Sequence, residues 1–397
     1  MPHPFPASRS AGLHRLGDFV PRAGRDYAAG RNTDNGPDGH PHTSLLSPYL
    51  RYRLIHEREV VKAVLVKHSL PAAEKYIQEV LWRTYWKGWL EMRPGVWSNF
   101  VAERDAMRAD FPNQRAITAA ENGMTGIDGF DDWARELVET GYLHNHARMW
   151  FASIWIFTLR LPWTLGADFF LRHLIDADAA SNTLSWRWVA GLQTLGKTYL
   201  ATAENIARYT NGRFAPKGLA TEAIALTEPP VGPPRILPEP PPFAAKQRSL
   251  LLVTHEDMHP ESLVPQGLPI HAAIVAADGN LLWGDGARRF LRSAATDTVT
   301  RITAQFGGSA KTVPVLDAAT LVSAAKACDA QQIVTAYAPV GPVADRLAAL
   351  TPVLADAGMA LVQIRRPWDA QFWPHAKKGF FPFKEQIPEI LRADGLA

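Results

Sequence analysis

Between Thr140 and Gly196 the chain gathers residue types able to hold a large ligand with polar edges. Asn145 and Arg148 stand three apart, which puts an amide and a guanidinium on one helical face. Asp176 and Asp178 follow, two apart, with Asn182 four residues on and Trp163, Trp186 and Trp188 in the same stretch. An Arg–Asp pair in a largely apolar helical setting is costly unless it is paired and serves a ligand. Polar groups converging on an aromatic-lined cavity are what a large conjugated cofactor needs. For most of the 13 tryptophans, ordinary core packing is the plainer account.

The segments that must position these residues have helical periodicity. Tyr76, Val80, Leu81, Tyr85 and Trp89 recur at spacings of three to five, and Phe169, Phe170, Leu174 and Ile175 continue the style. The first forty or so residues, rich in Gly, Pro and Asn, read as a wrapping segment. A proline cluster from Glu228 to Phe243 cannot continue a helix or sit inside a sheet and reads as an extended linker. After it come short apolar runs at Leu250–Thr254, Ile270–Ala277, Gln332–Thr335 and Ala360–Ile364. Helical stretches at 287–305, 318–328 and 343–357 separate them. That alternation implies a parallel, doubly wound sheet. The expected organisation is a helical domain over 1–221, a Pro-rich linker over 222–247 and a Rossmann-like α/β domain over 248–397.

With 397 residues, 47% hydrophobic and 20% charged, the chain has the composition of a soluble globular protein with room for a sizeable core. A net charge of +3 is compatible with a polyanionic partner without identifying one. Cys328 is the single cysteine, so neither an intramolecular disulfide nor a four-cysteine iron–sulfur cluster can be built from this chain. The N-terminus lacks a secretory pattern and the most apolar stretch, Met149–Leu161, is too short to span a bilayer. The expectation is a cytoplasmic protein without membrane contact, a monomer by default.

The order Gly141-Tyr-Leu-His-Asn145, Arg148-Met149, Trp163, Leu174-Ile-Asp-Ala-Asp178, Asn182, Trp186-Arg-Trp188 closely resembles the FAD-binding heart of DNA photolyases and cryptochromes. Upstream, Tyr27, Arg31, Thr43-Ser-Leu-Leu-Ser-Pro48 and Glu79-Val-Leu-Trp-Arg83 resemble further family segments in the right order. The departures are Pro162 where the family usually has Asp, Ala177 where it has Gly, Leu45 where it has Arg, and Thr84 where it has Glu. The resemblance covers about half the chain. It implies a photolyase-type helical domain with FAD as cofactor. Tyr27, Thr43, Ser44 and Ser47 would hold the FAD phosphates and sugar, with Leu45 and Leu46 in the same segment. Asn145 would sit beside flavin N5 and Arg148 would pair with Asp176 next to the ring. Asp178 would contact the polar edge of the isoalloxazine, with Ala177 and Asn182 close by.

Two activities follow from the same resemblance. Trp186 and Trp163 match the inner members of the family's electron-carrying tryptophan chain. The outer position falls on Ala120, so Trp133, Trp155 or Tyr142 would have to replace it. Glu79, Trp82, Met149 and Trp188 match residues that meet a flipped pyrimidine dimer, and Arg31 matches a DNA-backbone contact; the first four, with Asn145 beside the flavin, are the implied catalytic residues. The implied function is light-driven repair of pyrimidine dimers in DNA. The competing readings are a cryptochrome-like blue-light photoreceptor and a light-independent flavoprotein relic. Lys197–Arg213 replaces the family's usual DNA-binding tail and points to a divergent clade. Residues 248–397 resemble the family's α/β domain, which normally comes first, with Leu250–His259 as its opening strand and loop and Lys378–Phe383 as its closing segment. This would be a circular permutation; the alternative is an unrelated Rossmann-like module. No antenna chromophore site is identifiable.

Two patterns resemble metal sites but lack the geometry for one. His255-Glu-Asp-Met-His259 fits the zinc-protease spacing, yet it follows a strand and precedes Pro260, which argues for a loop. His144 and His146 are two apart and point different ways on a helix.

Overall fold

Five short strands form one parallel sheet in the order β3-β2-β1-β4-β5. They are β1 (Ser249–Val253), β2 (Ile270–Ala276), β3 (Ser309–Val313), β4 (Gln332–Ala336) and β5 (Ala360–Ile364). The architecture comes from a computed structural model that describes residues 5–37 and 39–397. β1 is central, with Leu251 opposite Ala273 of β2 and Val334 of β4. All five of its residues are buried, as a strand covered on both faces requires. Successive side chains point to opposite faces. Leu250 and Leu252 pack with Leu321, Leu347 and Leu350, from the helices Ala318–Ala327 and Pro342–Asp356. Leu251 and Val253 instead join the core containing Phe290 and Leu291 of the Asp285–Phe306 helix.

That second core continues without a break into the helical half. The N-terminal region is helical to Tyr209, and a segment without strand or helix follows until Ser249. Its longest helix, Leu70–Glu91, has Pro71 in its first turn and buries Tyr76, Ile77, Val80, Leu81 and Tyr85. The C-terminal helices Pro367–Phe372 and Phe380–Ala393 lie against this helix rather than on the sheet. The halves approach closely at Gly284, where any Cβ would overlap the backbone of Arg172.

Two expectations need correcting. β3 was not foreseen, because Ser309-Ala-Lys-Thr-Val313 is an edge strand whose side chains are mostly exposed, so no apolar run marks it. The N-terminal residues are not merely a wrapping segment. Arg9–Phe19 and Arg25–Gly30 are helices, the first capped by the Ser8 side chain accepting from the Ala11 amide, and Leu16, Phe19 and Tyr27 are buried. Among the described residues no helix is long and apolar enough to cross a membrane.

Candidate functional site

Several local devices bring the Thr140–Gly196 residues together. Gly141 ends the Phe130–Thr140 helix in the left-handed region, with φ 69°, a conformation that favours glycine. Its carbonyl accepts from the Ile175 amide at 3.0 Å, which delivers Asp176 to the Asn145–Ser153 helix. There Arg148 Nη2 lies 3.2 Å from Asp176, while Arg148 Nε donates to the Leu143 carbonyl at 2.8 Å. Burial pushes the Asp176 carboxyl up, but Arg148 and then Arg83 outweigh it and hold it below the usual range. Asp178 caps the Ala179–Val189 helix, accepting from the Ser181 amide at 2.7 Å. It is kept ionised against burial by Lys87, Arg83 and Arg51. Asn182 spends its amide N–H on the Ala167 carbonyl at 2.9 Å.

These groups open on one cavity of about 670 Å³, within the range of cofactor and ligand sites. Tyr27, Arg31 and the run Thr43, Ser44, Leu45, Leu46, Ser47 form part of its wall. Glu79 and Trp82 come from the long helix, and Asn145, Arg148 and Met149 from the next element. Asp176, Ala177, Asp178 and Asn182 complete the polar side, with Trp186 and Trp188 beyond. Every residue expected to meet the cofactor or DNA lines it; Trp163 does not, nor do Trp133 and Trp155, the suggested replacements for the outer tryptophan, whereas Tyr142 does. Among further lining residues, Ser181 Oγ is buried without a hydrogen-bond partner, and Arg83 Nη1 is buried with only the Asp178 carboxylate, at 3.7 Å, facing it. Such atoms are costly unless a ligand meets them. A cofactor with phosphates, hydroxyls and a heteroaromatic edge fits this set of donors. Arg83 ends the Glu79-Val-Leu-Trp-Arg83 segment, and the resemblance assigns it no role. Its position four residues after Glu79, on the same helical face, was the available signal.

His144 and His146 have structural partners. The His144 ring accepts from the His146 amide through Nδ1 (3.2 Å), which leaves Nε2–H to donate to the Arg31 carbonyl at 3.1 Å. His146 Nδ1 meets the Asn32 carbonyl at 3.0 Å. Burial lowers His144 to about 4, so the neutral form persists at neutral pH. His255–His259 is turn and coil, and its histidines face different groups: His255 lies by Glu256, and His259 near Glu59 and Glu261. His56, Glu59 and His259 bring potential ligand atoms within 4.8 Å of one another, but both Glu59 oxygens are engaged by Arg9.

The mouth of the cavity holds two contacts that sequence reasoning did not foresee. Arg31 is ion-paired with Glu79. Trp82 is stacked by Phe380 of the C-terminal half, ring centroids 3.7 Å apart and planes 12° from parallel.

The aromatic neighbours of the inner tryptophans also differ from expectation. Trp186 lies 5.1 Å from Phe170 and 6.3 Å from Trp155. Trp163 meets Phe100 at 5.6 Å, Phe100 meets Trp97 at 5.4 Å, and Trp97 meets the half-buried Trp283 at 5.7 Å. Trp133 stacks on Trp150 with its N–H on Asp34, and Trp155 flanks Trp186 instead of extending beyond Trp163. Ala120 is fully buried.

A family model described as the FAD binding domain of DNA photolyase matches residues 76–213. A deoxyribodipyrimidine photo-lyase of Streptomyces griseus is 35% identical over 196 residues, covering 47% of this chain and 41% of the relative. The match thus spans about two fifths of that relative's length. Among solved structures, a class III photolyase from Agrobacterium tumefaciens aligns with a TM-score of 0.44 and 28% identity, over 51% of this chain and 43% of that one. A cryptochrome from Synechocystis aligns with 0.45 and 26%, over the same shares.

Proposed function

The chain belongs to the photolyase/cryptochrome family through its helical half, and we propose that its cavity holds FAD and serves light-driven repair of pyrimidine dimers in DNA. The observation that carries this reading is convergence: residues from segments spread between Tyr27 and Trp188 line a single cavity of cofactor size. Bound and reduced, FAD would supply the light-excited electron that opens the cyclobutane, and return of that electron would leave no net oxidation. Tyr27, Thr43, Ser44 and Ser47 hold the phosphates and sugar, and Arg148, fixed by Asp176, offers its charge to the ring. Asn145 presents an amide able to donate or accept beside N5. Glu79 hydrogen-bonds the flipped base, and Trp82, Met149 and Trp188 form its apolar walls. Arg31 contacts the DNA backbone. Electrons from a thiol in solution enter at Trp283 and pass through Trp97, with the Phe100 ring as the spacer between them and Trp163, and then to Trp186 at the cavity. The α/β half acts as the family's α/β domain in permuted order.

The second reading, a blue-light photoreceptor, is favoured by the two contacts at the mouth. Arg31 already engages Glu79, and Phe380 already covers one face of Trp82. The deciding experiment is the absorption spectrum of the purified protein before and after blue light with a thiol, followed by repair of dimer-containing single-stranded DNA. Flavin bands, bleaching and restored thymine absorbance support repair. Flavin that bleaches without repair supports the receptor, and absence of flavin overturns both.

A further inference from the structure

Five charged side chains are packed together behind the polar wall of the cavity, and they come from both halves of the chain. Asp178, which lines the cavity, lies 3.4 Å from Lys87 Nζ, 3.7 Å from Arg83 Nη1 and 3.8 Å from Arg51 Nε. On the far side of the same cations is Glu256, in the turn that follows β1. It sits 2.9 Å from Arg51 Nη2 and 3.3 Å from Lys87 Nζ. Arg51 also donates from Nε to the Ala177 carbonyl at 2.6 Å, so it touches the cavity wall and the second half at once. Arg51, Lys87, Asp178 and Glu256 are all fully or nearly fully buried.

Buried ion pairs stabilise little, because desolvation offsets their attraction, and apolar packing would serve stability as well. What such a group does determine is the local potential, since buried charges are screened far less than exposed ones. Three cations stand against two carboxylates. His255, whose buried Nε2 makes no hydrogen bond and lies 3.7 Å from Glu256, is held neutral by burial and by Arg51, its pKa lowered to about 4. Arg148 and Asp176 alongside cancel. The cluster therefore carries one excess positive charge beside the cavity, and Glu256 is the one member of the cluster that the α/β half contributes to that balance.

We propose that Glu256 is a positioning residue of electrostatic kind: through Arg51 and Lys87 it sets the positive potential at the cavity, and so lets the α/β half tune how readily the bound cofactor accepts electrons. This rests on the reading that the cavity holds FAD. Neutralising Glu256 raises the net positive charge and favours the more negative, reduced form of the cofactor. Neutralising Lys87 does the reverse.

The test is a reductive titration of the full-length holoprotein and of Glu256→Gln and Lys87→Met against a reference dye, with FAD content and thermal unfolding measured on the same samples. The expected result is a midpoint potential shifted positive in Glu256→Gln and negative in Lys87→Met, with FAD retained in both. A cluster with only a structural role would alter unfolding without opposite shifts, and unshifted potentials in folded, FAD-loaded variants overturn the proposal. Should Glu256→Gln not fold, Lys87→Met alone decides by the sign of its shift, with Lys87→Arg expected to restore the wild-type value. Wild-type protein that binds no FAD refutes the cofactor reading itself, a failure visible before any variant is made.

Discussion

Arg31 closes its guanidinium on the carboxylate of Glu79 across the mouth of the cavity. A base entering there must take Glu79 from Arg31 or share it, and a hydrogen bond to a charged group is worth about 1.5–3 kcal/mol. Glu79→Ala is therefore expected to lower dimer repair by roughly tenfold or more while FAD absorbance is retained. Repair assays on defined dimer substrates read this directly, and full repair by the variant removes Glu79 from the mechanism.

Asn145 is exposed to the cavity, and among the described residues its amide nitrogen hydrogen-bonds only the Met149 sulfur, at 3.8 Å. Nothing in the fold depends on that contact, so Asn145→Ala is expected to leave unfolding unchanged within about 0.5 kcal/mol. It should change which form of the flavin accumulates under light. Spectra identical to wild type would count against its position beside N5.

Trp163, Phe100, Trp97 and Trp283 are in ring contact in that order, and Trp283 is the member contributed by the α/β half. Trp283→Phe is expected to slow bleaching of the oxidised flavin under blue light with a thiol several-fold, whereas Trp133→Phe should not, because its ring packs on Trp150 and Phe214 instead. Equal rates in both variants would remove the Phe100–Trp97–Trp283 route.

The cavity residues could be read from the chain because their types are unusual for their setting: an Asn–Arg–Asp–Asp set inside apolar helices has little use except on a ligand. β1, β2, β4 and β5 were visible as apolar runs for the same reason that they are central or half-covered. Lys87, Arg51 and Glu256 were not visible. A lone charge in a sequence reads as solvated, whereas in the fold all three are buried, with Glu256 of the α/β half set against Arg51 and Lys87 of the helical half. In the sequence Phe380 stands out only as part of an aromatic segment, since no periodicity connects it to Trp82 almost three hundred residues earlier.

Gly284 tests that docking. Its backbone is extended, with φ −125°, so alanine is conformationally acceptable there, yet a Cβ would overlap the Arg172 carbonyl. Overpacking of this kind costs at least about 1–3 kcal/mol, because backbone rather than a flexible side chain must shift. Gly284→Ala is expected to lose that much in urea unfolding. Gly379→Ala, at another helix start with open space around it and φ −66°, should be neutral.

Acidification should loosen the seam between the halves, and the sign follows from three histidines. Burial, reinforced by Arg51, lowers His255 to about 4; burial and Arg366 lower His56 to about 4; burial and Arg9 lower His259 to about 3. Each then stays neutral in the folded protein at a pH where the unfolded chain, with its ordinary value near 6.5, takes up a proton. Because the unfolded state binds more protons, stability falls as pH drops from about 6.5 towards 4. Asp257 acts in a lower window. Burial pushes it up, but Arg366 outweighs this and holds it at about 2. Its contribution is present above the ordinary carboxylate value and is lost as pH falls from about 4 towards 2. Urea midpoints measured between about pH 7 and pH 4.5 should therefore fall steadily, and His255→Gln should flatten the slope. A midpoint independent of pH across that window would mean that these histidines are protonated or solvated in the folded protein, and that the seam around them is more open than the buried rings imply.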